Sequence, residues 1–124
     1  MPAWRYLTAD ELIERGKQFK IGPVRDRDAL EACMVSPAQT FGGRDLYPEI
    51  ADKAAIVSFN VAKTYHPFVD GNKRGGAIAM LATCYLNGFV PVMTQEELVA
   101  VILLIVEGQM SREELTGFLR DRMA

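Results

Sequence analysis

The chain has 124 residues, 49% of them hydrophobic, and a formal net charge of −2. That length suits one domain, which buries roughly two-thirds of its unfolded surface on folding and needs neither disulfides nor a metal to hold it together. The weak negative charge, without a long run of either sign, argues against a dedicated nucleic-acid or membrane-surface binder and leaves any basic site local.

The elements read as helices almost throughout. Thr8 and Glu11 form a capping-box pair ahead of a first helix over about Ala9–Phe19, with Leu12, Ile13 and Phe19 inward. Gly22-Pro23 breaks the chain, and a second helix capped by Asp26 spans about Arg27–Val35. Residues 36–48, rich in Gly, Pro and aromatic side chains, are expected to be non-helical, with Thr40-Phe41-Gly42-Gly43-Arg44-Asp45-Leu46-Tyr47 as a short hairpin or flap over the Gly-Gly turn. A third helix begins near Pro48, since proline suits a first turn. It runs to about Tyr65, with Ile50, Ala54, Val57, Val61 and Tyr65 on one face.

A fourth helix covers about Asn72–Leu86 and stops at Asn87-Gly88. Past Arg74 it is apolar or small on every side, which predicts a central, surrounded helix. The uncharged stretch from Gly75 to Thr94 is interrupted by Asn87, Gly88 and Pro91, so its intact part reads as core rather than as a membrane span. Thr94 and Glu97 open a fifth helix to about Glu107. Its run Leu98–Val106 is β-branched enough to resemble a strand, but the Thr94 cap and the Gly108 stop favour a core helix. Ser111 and Glu114 open a last helix over about Arg112–Arg122. The fold class is therefore all-α: about five or six helices, a central buried one, and at most one hairpin.

Cys33 and Cys84 lie in separate apolar stretches. With a single histidine in the chain, a Cys/His zinc site lacks ligands, so buried free thiols in a reducing compartment are expected. No basic segment followed by an apolar one opens the sequence. No signal peptide is expected, and the cytoplasm is the default location.

The chemistry concentrates in His66-Pro67-Phe68-Val69-Asp70-Gly71-Asn72-Lys73-Arg74. Pro67 disfavours helical geometry at His66, so the third helix ends there and the chain re-enters a helix near Asn72. A tight glycine-containing loop at a helix N-terminus turns successive amides into an anion nest, and the helix dipole adds positive charge. Lys73 and Arg74 in a first turn are unfavourable unless an anion compensates them. Arg74 can grip phosphate with its planar fork and Lys73 as a point charge. Asp70 is a hard oxygen ligand suited to Mg²⁺. His66 carries the one side-chain type that changes charge near neutral pH, which suits a general base. Phe68, between polar positions, is expected to anchor the loop in the core. Together these residues read as a nucleoside triphosphate site for group transfer, where positioning and charge stabilisation do most of the catalysis. The plainer alternatives are a surface ion pair between His66 and Asp70 and solvated charges at Lys73 and Arg74. Gly42-Gly43 reads as a simple turn or a substrate-docking flap, and Trp4 and Tyr47 as packing residues. An exposed part of the fifth helix would mark a partner groove.

This segment resembles the signature of the Fic/Doc family, His-x-Phe-x-Asp/Glu-Gly/Ala-Asn-Gly/Lys-Arg, at every fixed position. Gln39–Pro48 resembles the segment before the motif helix in Doc-type, or death-on-curing, toxins, and Tyr6–Ile13 resembles their opening. The resemblance implies a single Fic/Doc domain over residues 1–124. It implies His66 as the catalytic base, Asp70 as the Mg²⁺ ligand, and Gly71, Asn72, Lys73 and Arg74 as the nucleotide- and phosphate-binding set. Phe68 is then the structural anchor, and Thr40, Phe41, Gly42 and Gly43 the candidate substrate flap.

Adenylyltransferases of Fic type usually carry Gly where this chain has Lys73, and a second Arg where it has Ala77. The Lys form is associated in Doc-like proteins with an inverted nucleotide. The resemblance then implies a toxin kinase that moves the γ-phosphate of ATP, or another triphosphate, to a threonine of elongation factor Tu and blocks translation, with a Phd-type antitoxin as partner. A Fic-type adenylyltransferase and a catalytically silent binding module are the alternatives, and a nucleic-acid binder is a distant fourth. Two departures stand out. Arg15, Gly16 and Lys17 occupy the first-helix region where many Doc relatives have a histidine. Gly75-Gly76 follows the signature where Thr-Ala is usual, which predicts close packing there because glycine in a helix costs up to about 1 kcal/mol relative to alanine.

Overall fold

In the computed structural model, which describes residues 3–123, side-chain caps set where four of the α-helices begin. Thr8 Oγ1 accepts the Glu11 amide at 3.1 Å and Glu11 returns a carboxylate oxygen to the Thr8 amide at 2.9 Å, opening α1 (Ala9–Gly16), which tightens into a 3₁₀ turn at Lys17–Phe19. Asp26 caps α2 (Arg27–Val35) through the Ala29 amide at 3.0 Å. The reciprocal pairs Thr94/Glu97 and Ser111/Glu114 open α5 (Gln95–Val106) and α6 (Arg112–Arg122). Each such cap contributes about 1 kcal/mol. The β-branched run of the fifth segment is thus helical, as its cap required.

A 3₁₀ turn at Ser36–Ala38 follows α2, where the composition predicts no helix. β1 (Thr40–Phe41) and β2 (Arg44–Asp45) then pair antiparallel, with Phe41 opposite Arg44 and Thr40 opposite Asp45. Gly42 and Gly43 both take positive φ, 59° and 78°, the geometry of a two-residue turn whose twist matches the strands.

The third helix departs from its predicted outline. α3 (Ile50–Phe59) starts two residues after Pro48, because Glu49 takes the N-cap position and Asp52 holds its amide at 3.2 Å. Its last turns, Asn60–Tyr65, are a π-helix. The wider turn carries Tyr65 off the face that an α-helical period assigns it, and Tyr65 is 41% exposed instead of inward. Phe19, also expected inward, is 48% exposed, because it falls in the 3₁₀ turn rather than on the Leu12 face.

α4 (Asn72–Leu86) runs through the middle and stops at Gly88, φ 81°. Against one side pack α3, α5 and α6 through Ala54, Ala55, Ile102, Ile105, Leu115 and Leu119. The other side meets Leu12, Leu30, Cys33, Val57, Val61 and Phe68 from α1, α2, α3 and the loop before α4. Its enclosure is incomplete, since Tyr85 is exposed. α5 is amphipathic rather than wholly core: Val101, Ile102 and Ile105 are buried while Val99 and Leu103 face solvent. α3 and α4 approach closely at Gly75 and Gly76. A Cβ on Gly76 would lie 2.8 Å from Ala62 Cβ and 3.0 Å from the Ser58 carbonyl, which explains why small residues stand there. Cys33 and Cys84 are free and buried, and burial pushes both thiols up to about 12. Among the described residues no helix is long and apolar enough to cross a membrane.

Candidate active site at the start of the central helix

The π-helical end of α3 delivers His66 in the left-handed conformation, φ 45° and ψ 60°, which is uncommon for any residue but glycine. Its side chain is exposed. The chain then dives: Pro67 is buried and Phe68 is 2% exposed, its ring filling the space that Gly75 leaves open, where a Cβ would stand 3.2 Å from Phe68 Cε2. Asn72 locks this turn from the far side. The Phe68 amide donates to Asn72 Oδ1 at 2.9 Å, and Asn72 Nδ2 donates to the Phe68 carbonyl at 3.0 Å. The Asn72 side chain therefore belongs to the loop's own framework. What Asn72 offers a phosphate is its backbone amide.

Gly71 is the N-cap of α4, at φ 88°, and supplies no side-chain cap. The amides of Asn72, Lys73 and Arg74 have no acceptor within the helix, as in any first turn. The Gly71 amide donates to Asp70 Oδ1 at 2.9 Å. The Lys73 and Arg74 side chains are exposed. Among the described residues neither forms an ion pair, and Arg74 only reaches the Phe19 carbonyl at 3.5 Å. Two cations thus sit at the positive end of a helix dipole without compensation, beside an exposed carboxylate at Asp70 and an exposed imidazole at His66.

The segment that holds this loop in shape is not legible in the sequence, where Gly22-Pro23 reads only as a helix break. Residues 22–26 run antiparallel to 67–70. Gly22 donates to the Asp70 carbonyl at 3.0 Å, Val69 to the Pro23 carbonyl at 2.9 Å, and Arg25 and Asp26 to the Pro67 carbonyl at 2.8 and 3.2 Å. Val24 faces Phe68 in an isolated bridge. Gly71 is required twice over: its φ is positive, and a Cβ would stand 3.0 Å from Ile21 Cα. The Arg25 side chain donates to the His66 and Tyr65 carbonyls. These partners lie 40 or more residues away in sequence, beyond the reach of periodicity or capping signals.

Thr40, Phe41, Gly42 and Gly43 are exposed on the hairpin, with Phe41 82% so. Lys53 of α3, unremarked in the sequence, ties the hairpin to the core through Asp45. Two concave surfaces lie away from the motif, one bordered by Thr94, Glu97 and Arg122, the other by Leu7, Arg27 and Met34. The motif's His66, Asp70, Lys73 and Arg74 are all exposed, so the loop is open to a ligand from solvent. Among the described residues no three His, Cys, Asp or Glu side chains gather into a metal cluster.

Comparison with known proteins places the same stretch in a family. The Fic/DOC family matches residues 6–84, which includes α1 to α3, the hairpin, the motif loop and most of α4. Toxin Doc of Mycolicibacterium smegmatis is 40% identical over 85 residues, covering 67% of this chain and 65% of that relative's own length. With the signature loop, the hairpin and most of the central helix inside the family match, the chain belongs to the Fic/DOC family.

Proposed function

We propose that this protein is a Doc-like toxin kinase that transfers the γ-phosphate of a nucleoside triphosphate, ATP in the first instance, to a hydroxyl of a protein. The observation that carries the reading is the start of α4, where the first-turn amides have no side-chain cap and the exposed Lys73 and Arg74 have no ion-pair partner among the described residues. A triphosphate supplies the negative charge this arrangement calls for. Lys73 in the position where adenylyltransferases carry glycine, with Ala77 in place of their second arginine, favours phosphoryl over adenylyl transfer.

In this mechanism His66 accepts the proton of the acceptor hydroxyl while its oxygen attacks the γ-phosphorus. The bond to the bridging oxygen breaks and the nucleoside diphosphate leaves. The amides of α4, Lys73 and Arg74 hold the phosphates in line and offset their charge. Asp70 fits a Mg²⁺ ligand: magnesium in phosphoryl-transfer sites is held by one or two carboxylates and substrate phosphates rather than by a protein cage. Bound there, it would neutralise phosphate charge. The Asp70 oxygen now on the Gly71 amide would be shared with or released to it. The exposed hairpin, with Phe41 at its tip, is suited to dock the acceptor segment. By family likeness that acceptor is a threonine of elongation factor Tu in the cytoplasm, transfer blocks translation, and a Phd-type antitoxin restrains the enzyme. The whole of residues 1–124 acts as one catalytic domain.

The test uses ATP labelled at the α or the γ phosphate, incubated with the protein and a bacterial lysate. Label from γ on protein, absent with His66→Ala, supports the kinase. Label from α would overturn it in favour of adenylylation. Growth inhibition that survives His66→Ala would overturn catalysis altogether and leave a silent binding module.

A further inference from the structure

We infer that Arg25 is a positioning residue for His66, holding the left-handed turn from which the imidazole is presented. This rests on the reading of His66 as the general base. The last carbonyls of a helix lack intrahelical donors. After a left-handed residue they are ordinarily satisfied by the amides that follow. Here the residue after His66 is Pro67, which has no N–H. Pro67 therefore cannot tie the turn back onto the helix, and the guanidinium of Arg25, reaching across the fold, holds it instead at the carbonyls of the turn itself. Its Nε donates to the His66 carbonyl at 3.0 Å, its Nη2 donates to the same oxygen, and Nη2 also reaches the Tyr65 carbonyl at 3.2 Å. A cation at a helix C-terminus is favoured by the dipole as well.

The Arg25 backbone is itself fixed. Its amide donates to the Pro67 carbonyl at 2.8 Å, and the next residue, Asp26, caps α2. The fork therefore starts from a rigid base and closes on two carbonyls at once. Lysine, a single point of charge, cannot reproduce that. A catalytic group misplaced by about 1 Å can lose on the order of 100-fold in rate, so a contact that sets the His66 backbone bears directly on turnover.

The chain has one histidine, so its imidazole gives a single unambiguous set of NMR signals. The experiment compares full-length wild type, Arg25→Met and Arg25→Lys, each checked by thermal melting. Readouts are γ-phosphate transfer from ATP to lysate protein and the backbone order parameter and ring shifts of His66. For Arg25→Met the expected result is a loss of roughly 10- to 100-fold in transfer rate at saturating ATP, with the KM for ATP little changed. The His66 order parameter falls from the rigid value of about 0.85 to below about 0.6, while α4 signals stay put. Arg25→Lys lies between the two, and carries the same readouts if the methionine variant does not fold. Unchanged His66 dynamics and ring shifts, or a rate loss confined to the KM for ATP, would overturn the inference. Wild-type label transfer by His66→Ala would instead overturn the general-base reading, and the NMR comparison would still decide whether Arg25 holds the turn.

Discussion

Lys53 places its ammonium 3.3 Å from Asp45 Oδ2, tying the base of the hairpin to a helix whose core face it shares. Lys53 is fully buried. A buried ammonium must be compensated, and this one also donates to the Pro37 carbonyl at 3.0 Å and lies over the rings of Trp4 and Tyr6, at 5.2 and 5.4 Å. One side chain thereby joins the N-terminal segment, the 3₁₀ turn after α2 and β2 to α3. The hairpin tip is exposed, but its root is anchored.

Lys53→Met is accordingly expected to strand the Asp45 carboxylate and the Pro37 carbonyl. Breaking a fully buried pair costs about 3–5 kcal/mol. The Asp45 side chain is 34% exposed, which places the loss at the lower end. Trp4 is the only tryptophan, so its emission reports the loss of the ammonium directly. A denaturant midpoint and Trp4 spectrum matching wild type would contradict this account of the anchor.

Asn72→Ala removes both hydrogen bonds across the motif loop. At about 0.5–1.5 kcal/mol each, the expected loss is on the order of 2 kcal/mol. Because the side chain holds Phe68 rather than a phosphate, ATP affinity should fall through disorder of the loop, with increased hydrogen exchange at the Phe68 amide. Weaker ATP binding with unaltered exchange there would instead assign the carboxamide to the nucleotide.

Gly76→Ala brings a methyl to 2.8 Å from Ala62 Cβ and 3.0 Å from the Ser58 carbonyl. Overpacking of this kind costs about 1–3 kcal/mol, more than the gain of up to about 1 kcal/mol in helix propensity. Gly75→Ala meets the Phe68 ring and a Val61 methyl, each at 3.2 Å, and should cost less, since these contacts are longer and involve side chains rather than backbone. The ranking is read from melting temperatures, and a stabilised Gly76→Ala protein would show that α3 and α4 have room to separate.

Acid should weaken the helix starts and the ties between elements. The Glu11 carboxyl is held low by the Thr8 amide and hydroxyl, Glu97 by the Thr94 amide and by Arg122, and Glu49 by Arg120. A carboxyl depressed in the folded state releases its proton more readily there than in the unfolded chain. Its contribution is complete above the unfolded value and fades as pH falls below about 4.5. Melting temperature should therefore be flat near neutrality and decline below that point. Glu97→Gln should show a smaller decline, and an equal one would remove Glu97 from the explanation.

Much of the fold was legible because its signals are local. Thr8, Asp26, Thr94 and Ser111 satisfy amides within three residues of themselves, so the helix starts they announce are where the chain puts them. The motif loop announced itself for the same reason: Pro67 ends one helix, Gly71 admits the left-handed turn, and the cations follow in sequence. A non-α period accounts for two side chains that lie outward instead of inward. Tyr65 turns outward on a π-helix and Phe19 on a 3₁₀ turn, and spacing alone does not distinguish these from an α-helix.

The helical class, the hairpin, the family signature and the order of chemical groups along residues 66–74 are readable from residue order alone, because each depends on contacts within a few residues. What holds that signature in place depends instead on long-range contacts. Arg25 on the His66 carbonyl, residues 22–26 beside 67–70, and Lys53 beneath Asp45 are meetings of distant or unpatterned side chains. The free energy that selects such meetings comes from burying the common core around α4, a quantity that no short window of residues contains.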